Sequence, residues 1–458
     1  MKEKKEYMDF AHYAVNLAKK EGADAAEAYV TDSQTVQINV SQRAVEQVNA
    51  TNDAGIGIRI LKDQKIIFGS SNELTKSSIK DMTSDLMRKV PFHTADEFNV
   101  IPGKEFGVLE GDWSSYTDLL SYDPKITEIP IEKKIKRAIS LEAAGLDFSP
   151  KIGGSMYAIY LDQAQMVYLA NSQGISGWYP TSGCGGGVEF SAVEGEDRQS
   201  GQIIQIGVKY DDFDPAEAAR KAADKAVKML GAKPIKSCEV PMVIAPEVGV
   251  NIFEYIVGML SANEVQRGKS LFADKVGERV ASDVISLIDD GKLKGGLDTQ
   301  PVDGEGVPRQ TTPLIVDGVL KTYLYDCYAA KRGKTNTTGN RSRGGYQSSG
   351  GIASTNLYLK PGEVTPEKIL AGIQDGFYLT AAFGLHGGID STSGDFSIPV
   401  AGFKIEKGKT TFPIRGVSIG GNLFDFLKSV DKVGDDLTWF QSTGCPTFSV
   451  KSIKIGGV

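Results

Sequence analysis

The chain has 458 residues, of which 41% are hydrophobic and 24% charged, values that exclude a mainly disordered protein. Its 51 basic and 58 acidic residues leave a formal net charge of −7, and because a general nucleic-acid binder needs a basic face, direct contact with nucleic acid is not expected. With no apolar run near the ~18 residues of a membrane span, no signal-like N-terminus and four scattered cysteines, we predict a cytoplasmic chain without membrane contact.

Residues 1–233 predict an N-terminal α+β region with two subparts, about 1–90 and 131–233. Apolar residues at helical spacing indicate the helices, and β-rich runs separated by Asn, Asp and Gly indicate the strands. In chain order we predict a helix over 4–21, four strands within 25–70, a helix over 75–89, a proline-rich crossing segment over 91–129, a helix over 131–146, five strands within 152–210 and a helix over 215–230.

Residues 234–458 predict a β-rich C-terminal domain. The boundary falls at Gly231–Pro234, where an alanine-rich helix is interrupted by glycine and proline. A buried strand over 241–245 and a helix over 247–262 come first. Short strands separated by glycine turns then follow to the end of the chain, a pattern typical of a sandwich or barrel.

The three histidines are too widely spaced to predict a metal site on this chain. They are His12, His93 and His386, and the sequence contains no C-x-x-C pair. Zinc catalysis uses about three protein ligands, usually two of them close together on one helix. Only His386 lies in a glycine-rich loop, where a histidine that bonds to the backbone is the simpler interpretation.

Two residue types offer a nucleophile. Ser418 lies in a G-x-S-x-G pattern, but no histidine follows it as the nucleophile elbow requires, so a residue near a strand end is the favoured interpretation. Cys327 and Cys445 have no basic neighbours and are predicted to be buried structural thiols. A hydrolase that uses Ser418 or Cys445 remains an alternative.

A basic loop over residues 331–346 is the most distinctive polar segment. It contains five basic residues, no acidic residue and many Gly, Thr and Asn residues, so a mobile, exposed loop is expected. Such a loop is either a clamp for a substrate carboxylate or backbone, or a solvated surface segment.

Several short segments of the C-terminal half form an ordered series: Asp289–Gly291, Gly304–Pro308, Asp317–Tyr323, Thr338–Arg341, Asp390–Phe396, Gly421–Leu423 and Val433–Leu437. These phrases occur in the order found in the TldD/PmbA family, also called modulator of DNA gyrase, and the chain resembles that family over nearly its whole length. The resemblance implies an N-terminal α+β region followed by a β-rich domain built around a curved sheet.

The resemblance also implies a particular branch of the family. Its active member is a zinc metallopeptidase with H-E-x-x-x-H on a helix, paired with a PmbA/TldE paralogue that lacks the zinc ligands. Here Glu254, Tyr255 and Met259 occupy the positions of the first histidine, the glutamate and the second histidine. The thioether of Met259 cannot replace a histidine zinc ligand, and the phenol of Tyr255 cannot replace the carboxylate that acts as general base. We therefore expect no catalytic residue, metal or cofactor on this chain, and zinc on a TldD-like partner.

The implied function is a non-catalytic subunit that helps to enclose and hold small or unfolded peptides for proteolysis by a TldD-like paralogue. The alternative is a stand-alone homodimer that binds peptides or another protein without peptidase activity. The sequence does not decide whether the chain is part of an enzyme, because it resembles a metallopeptidase family but lacks the zinc-binding and general-base residues. The peptide-binding candidates are Thr338, Gly339, Asn340, Arg341, Arg343, His386 and Asp395.

Overall fold

The structure is a computed structural model that describes residues 4–107, 109 and 113–458. Within this part the chain is an α+β protein, which confirms the predicted fold class. The helices are α1 (Lys4–Lys20), α2 (Lys76–Lys89), α3 (Ile131–Leu146), α4 (Pro215–Lys228), α5 (Pro246–Met259), α6 (Ala262–Gln266), α7 (Cys327–Gly333), α8 (Pro366–Ala371), α9 (Leu385–Gly388) and α10 (Leu423–Lys428). The strands are β1 (Ala25–Ser41), β2 (Ala44–Lys62), β3 (Lys65–Ser71), β4 (Ile152–Asn171), β5 (Ser176–Glu194), β6 (Asp197–Gly207), β7 (Cys238–Ile244), β8 (Leu287–Asp290), β9 (Thr311–Val316), β10 (Val319–Leu320), β11 (Arg341–Ser342), β12 (Gly351–Ile352), β13 (Leu357–Leu359), β14 (Asp375–Ala382), β15 (Asp395–Glu406), β16 (Lys409–Asn422), β17 (Val430–Val433), β18 (Thr438–Phe440), β19 (Thr443–Cys445) and β20 (Phe448–Gly456).

One antiparallel sheet, ordered β3-β2-β1-β4-β5-β6, joins both predicted N-terminal subparts. The numbers of strands predicted within 25–70 and 152–210 are wrong, because the structure has three long strands in each range. The polar breaks within β1 and β4 remain extended because neighbouring strands lie on both sides. Gln163 of β4, for example, is opposite Thr35 on one side and Gly183 on the other.

Helices cover one face of this sheet at each end. Tyr7, Phe10 and Ala14 of α1 are buried in the same apolar cluster as alternate isoleucines of β2, as the helical spacing predicted. α3 and α4 pack over the other end. Asp214 accepts hydrogen bonds from the amides of Ala216 and Glu217, and this cap explains why α4 starts at Pro215.

The C-terminal part contains two six-stranded sheets around one large apolar core. The first is ordered β10-β9-β8-β13-β19-β18 and the second β16-β15-β14-β7-β20-β17. An additional pairing between β16 and β20 closes five strands of the second sheet into a ring, so the expected curved sheet is confirmed. α5 follows β7 and buries Phe253, Ile256 and Val257 in the core. No described helix is both long and apolar enough to cross a bilayer.

Candidate functional site

Glu254, Tyr255 and Met259, which the sequence led us to expect at the positions of H-E-x-x-x-H, lie on α5 in different surroundings. Glu254 is exposed, on the same face as Asn251 and Gly258, because residues three and four apart share one side of a helix. Tyr255 is half-buried, and its hydroxyl donates to the carbonyl of Ile389 at 2.8 Å. Met259 is only 4% exposed and belongs to the apolar core.

His386 and the turn before β15 lie beside this helix. The ring of His386 is 6.1 Å from the ring of Tyr255. The Asp395 carbonyl accepts from the amide of Asp390 at 2.9 Å, and its carboxylate accepts from Asn422 at 3.0 Å. Burial and the Asp390 carboxylate raise the pKa of Tyr255, so its hydroxyl remains a neutral donor. Of the predicted site residues, the structure therefore brings His386 close to Tyr255 and places Asp395 at the start of β15, after the turn that follows Ile389.

Zinc, which the family implies, does not fit the donors that this helix presents. A zinc site needs about three converging nitrogen, sulfur or carboxylate ligands. Glu254 faces outward, Tyr255 is bonded to a carbonyl, and Met259 presents a buried thioether. Across residues 4–107, 109 and 113–458, no group of three or more His, Cys, Asp or Glu residues is placed to hold a metal ion.

The basic loop differs from the expected exposed and mobile segment. Within it, only residues 331–336 and Gly344 are exposed. The side chains of Arg341 and Arg343 are 11% and 1% exposed, and each binds an acid. Arg341 pairs with Asp326 at 2.7 Å, and Arg343 pairs with Glu27. The expectation of exposure is wrong for these arginines because their acidic partners lie elsewhere in the sequence.

Thr338, Gly339 and Asn340 are held by protein partners in the same way. The Thr338 hydroxyl accepts from the amide of Tyr325 at 2.8 Å. Asn340 donates to Asp289 at 2.7 Å, and Arg309 donates to the Gly339 carbonyl at 2.7 Å. These bonds give the segment a structural role that the sequence did not reveal, and its contribution to peptide binding stays a prediction.

Arg59 lies at the centre of the charged side chains that contact this loop. It is 4% exposed, and its Nη2 binds Glu27 at 3.0 Å and Glu305 at 2.9 Å. Pairing is required here because an isolated buried charge is very costly. We call the whole group the buried ion cluster; it consists of Glu27, Arg59, Asp303, Glu305, Asp326, Arg341 and Arg343.

The pKa values of two neighbouring carboxyl groups in the buried ion cluster are shifted in opposite directions. Burial and the charge of Glu305 raise the pKa of Asp303 to about 6. Burial opposes ionisation of Glu305 as well, but the arginines Arg59 and Arg341 outweigh it and lower the pKa of Glu305 to about 2. The cluster thus holds Glu305 firmly as an anion and Asp303 much less so.

Sequence reasoning missed Glu27 and Arg59. The available signal was a charged residue inside an apolar β pattern, since Arg59 lies between Ile58 and Ile60. On a strand, alternate residues face opposite sides, so Arg59 faces away from the isoleucines and toward the C-terminal part. The partners of Arg59 could not be read from the sequence, because Glu305 follows it by 246 residues.

The alternative nucleophiles are poorly placed. Ser418 lies within β16, opposite Pro399 of β15 and Gly456 of β20, so it is not on a strand-to-helix turn. Cys327 and Cys445 are buried, as predicted, and burial raises the pKa of both thiols, which disfavours the reactive thiolate. The geometry therefore offers no support for a serine or cysteine hydrolase.

Family comparison agrees with this architecture. Family models for three domains of the PmbA/TldA metallopeptidase match this chain in order. Domain 1 matches residues 26–88, the central domain 124–230 and the C-terminal domain 237–457. The chain also has the N-terminal sheet and the β-rich C-terminal part described above. Together with the three domain matches, this fold identifies a protein of a metallopeptidase family. The chain belongs to the PmbA/TldD family.

Individual relatives match over almost the full chain. A metalloprotease PmbA homolog of Haemophilus influenzae is 26% identical over 455 residues, which cover 97% of this chain and 95% of that protein. TldE from Thermococcus kodakarensis is 20% identical, with a TM-score of 0.86 over 98% of this chain and 100% of that one. A Thermotoga maritima protein named as a modulator of a DNA gyrase is 23% identical, with the same score over 98% and 99%.

Proposed function

We propose that this chain is a non-catalytic, PmbA/TldE-like subunit of a zinc metallopeptidase in the cytoplasm. It encloses and holds small or unfolded peptides, while a TldD-like paralogue supplies zinc and the general base. The observation that carries this proposal is the α5 helix, where Glu254, Tyr255 and Met259 provide neither a set of zinc ligands nor a base.

The surface beside α5 supports a role in holding peptide. Glu254 and Gly258 are exposed, and a side chain added at Gly258 would meet nothing within 4 Å, so there is room along the helix. His386 is exposed next to Tyr255. Polar groups beside an open helix face can bind the backbone of an extended peptide. We place the peptide along this face, next to the site that the partner completes.

The test is to purify the chain, its H-E-x-x-x-H paralogue and the mixture, and to measure zinc and cleavage of unfolded casein. We expect the chain alone to be inactive and metal-free, and the mixture to cleave at least tenfold faster than the paralogue alone. Equal cleavage by the paralogue alone would refute the proposal. A homodimer that binds peptide but not the paralogue would establish the stand-alone alternative.

A matched pair of histidine variants locates the peptide. We expect His386→Ala to raise the KM of the mixture severalfold, because His386 is exposed beside Tyr255, with little change in kcat. His12→Ala is the control, since His12 is an exposed residue of α1 that contacts Ser176 in the N-terminal sheet. Equal effects of both variants would show that peptide does not bind along α5.

A further inference from the structure

A cavity of about 220 Å³ lies where the N-terminal sheet, the crossing segment and the C-terminal part meet. Arg59 and Arg341 of the buried ion cluster line it, with exposed His93 on the side that reaches solvent. Ile66, Phe68 and Val100 supply an apolar wall. None of the described residues that line it is an acid, although acids lie behind both arginines.

Arg59 has hydrogen-bonding capacity that the protein does not use. Guanidinium carries five N–H donors, and both ion pairs of Arg59 are made through Nη2. Its Nε is buried and has no hydrogen-bond partner among the described residues. A buried donor without an acceptor is unfavourable. Arg59 also lines the cavity, so an acceptor bound there lies beside its guanidinium group.

The size and walls of the cavity select the kind of acceptor. A cavity of about 150 Å³ holds benzene, so the volume of about 220 Å³ accommodates an organic molecule of at least six heavy atoms. An apolar wall beside arginine favours a ligand with an apolar body and one charged end over an inorganic ion. Arginine matches the two oxygens of a carboxylate.

We propose that this cavity binds a small organic carboxylate, which accepts hydrogen bonds from Arg59 and packs its apolar body against Phe68 and Val100. Glu27 and Glu305 already balance much of the arginine charge. Directional N–H donors and apolar contact, rather than net charge, therefore hold the ligand. The site touches β2 and β3 on one side and Tyr328 and Arg341 on the other, so its occupancy stabilises the junction. This proposal does not depend on the partner or on peptidase activity.

The test uses isobutyrate as the probe, with isobutyramide and inorganic phosphate as comparisons at constant ionic strength. Calorimetric titration of the full chain should show saturable 1:1 binding of isobutyrate, and its thermal unfolding midpoint should rise with isobutyrate concentration. Isobutyramide and phosphate should bind at least tenfold more weakly. Equal binding of all three, or no saturable binding of isobutyrate, would overturn the proposal.

Two variants locate the binding. Val100→Phe fills the cavity without replacing a member of the buried ion cluster, and it should weaken isobutyrate binding at least tenfold. Val276→Phe, at a residue that is 50% exposed, is the control for added bulk and should bind as the wild type does. Arg59→Gln should also weaken binding. If Arg59→Gln fails to fold, Val100→Phe still decides, because unchanged binding in Val100→Phe refutes the site.

Discussion

At the scale of a single residue, Glu27 links the N-terminal sheet to the C-terminal part of the chain. It lies on β1 and binds Arg59 of the neighbouring strand and Arg343 of the C-terminal part. The side chains of Glu27, Arg59 and Arg343 are all at most 4% exposed. Removing one partner of a buried pair leaves the other charge without compensation. A single carboxylate thereby holds two arginines that would each destabilise the interior alone.

We predict that Glu27→Gln lowers the free energy of unfolding by about 3–5 kcal/mol, as expected when a buried ion pair loses one partner. Urea denaturation of both proteins measures this change. The matched control is Asp147→Asn, which breaks the exposed Arg43–Asp147 pair and should have a much smaller effect because solvent screens it. Similar losses in both variants would contradict a special role for the buried carboxylate.

The shifted pKa values of Asp303 and Glu305 predict opposite effects of pH on the stability of the fold. The pKa of Asp303 in the folded chain, about 6, lies above the unfolded value, so its contribution is complete below about pH 4 and is lost as pH rises to about 6. The pKa of Glu305 is lowered to about 2, so its contribution is present above about pH 4.5 and is lost toward pH 2.

We therefore expect Asp303→Asn to remove the decline in stability between about pH 4 and 6 relative to the wild type. The measurement is urea unfolding of both proteins at several pH values across that range. Asp303 also accepts hydrogen bonds from the amides of Glu305 and Val307, so the variant is less stable overall and the slope is the informative quantity. Parallel pH profiles would contradict the raised pKa of Asp303.

At the scale of elements, β2 is shaped to receive the C-terminal part. A Cβ atom added at Gly55 would lie 2.3 Å from the ring of Tyr346, and one at Gly57 would lie 2.3 Å from the Tyr346 carbonyl. Contacts this short cannot be tolerated without movement of the loop. The two glycines therefore allow the close approach that brings Arg343 to β1. Their G-x-G spacing reflects packing, since no phosphate-binding turn occurs within a continuous strand.

We predict that Gly55→Ala destabilises the protein by about 1–3 kcal/mol, the usual cost of overpacking. Gly154→Ala is the control on the same sheet, because a Cβ there would meet nothing within 4 Å, and its effect should be within about 0.5 kcal/mol. Chemical denaturation gives both values. A double variant with Tyr346→Ala should lose less stability than the sum of the two single changes; strict additivity would show that the clash is elsewhere.

At the scale of the whole molecule, the buried ion cluster makes the two parts of the chain dependent on each other. Without the N-terminal sheet, Arg343 loses Glu27 and Glu305 loses Arg59. Without the C-terminal part, Glu27 and Arg59 keep only each other. Tyr328 adds a second contact by donating to Asp96 of the crossing segment at 2.7 Å. Unfolding one part alone would expose these partners.

We expect the chain to unfold in one cooperative transition. The three tryptophans allow a direct test, because Trp113 and Trp178 report on the N-terminal part and Trp439 on the C-terminal part. In Trp439→Phe and in the double variant Trp113→Phe/Trp178→Phe, the fluorescence midpoint should coincide with that of far-UV circular dichroism. Different midpoints for the two reporters would show that the parts unfold separately.

The sequence by itself determined the local features of this protein. Periodicity predicted the long helices closely, as with α3 over Ile131–Leu146, because one buried face specifies a helix locally. Ordered phrases identified the family, and the sequence of α5 contains no histidine. Each of these depends on residues near one another in the chain, so a single sequence is sufficient to read them.

Only the tertiary structure decided how distant residues combine. The polar breaks predicted to divide β1 and β4 remain extended because neighbouring strands provide hydrogen bonds on both sides. The arginines expected in an exposed loop are buried because Glu27 and Asp326 neutralise them. Strand continuity and burial of charge are set by partners that can lie hundreds of residues away, and local residue patterns carry no record of which partner that will be.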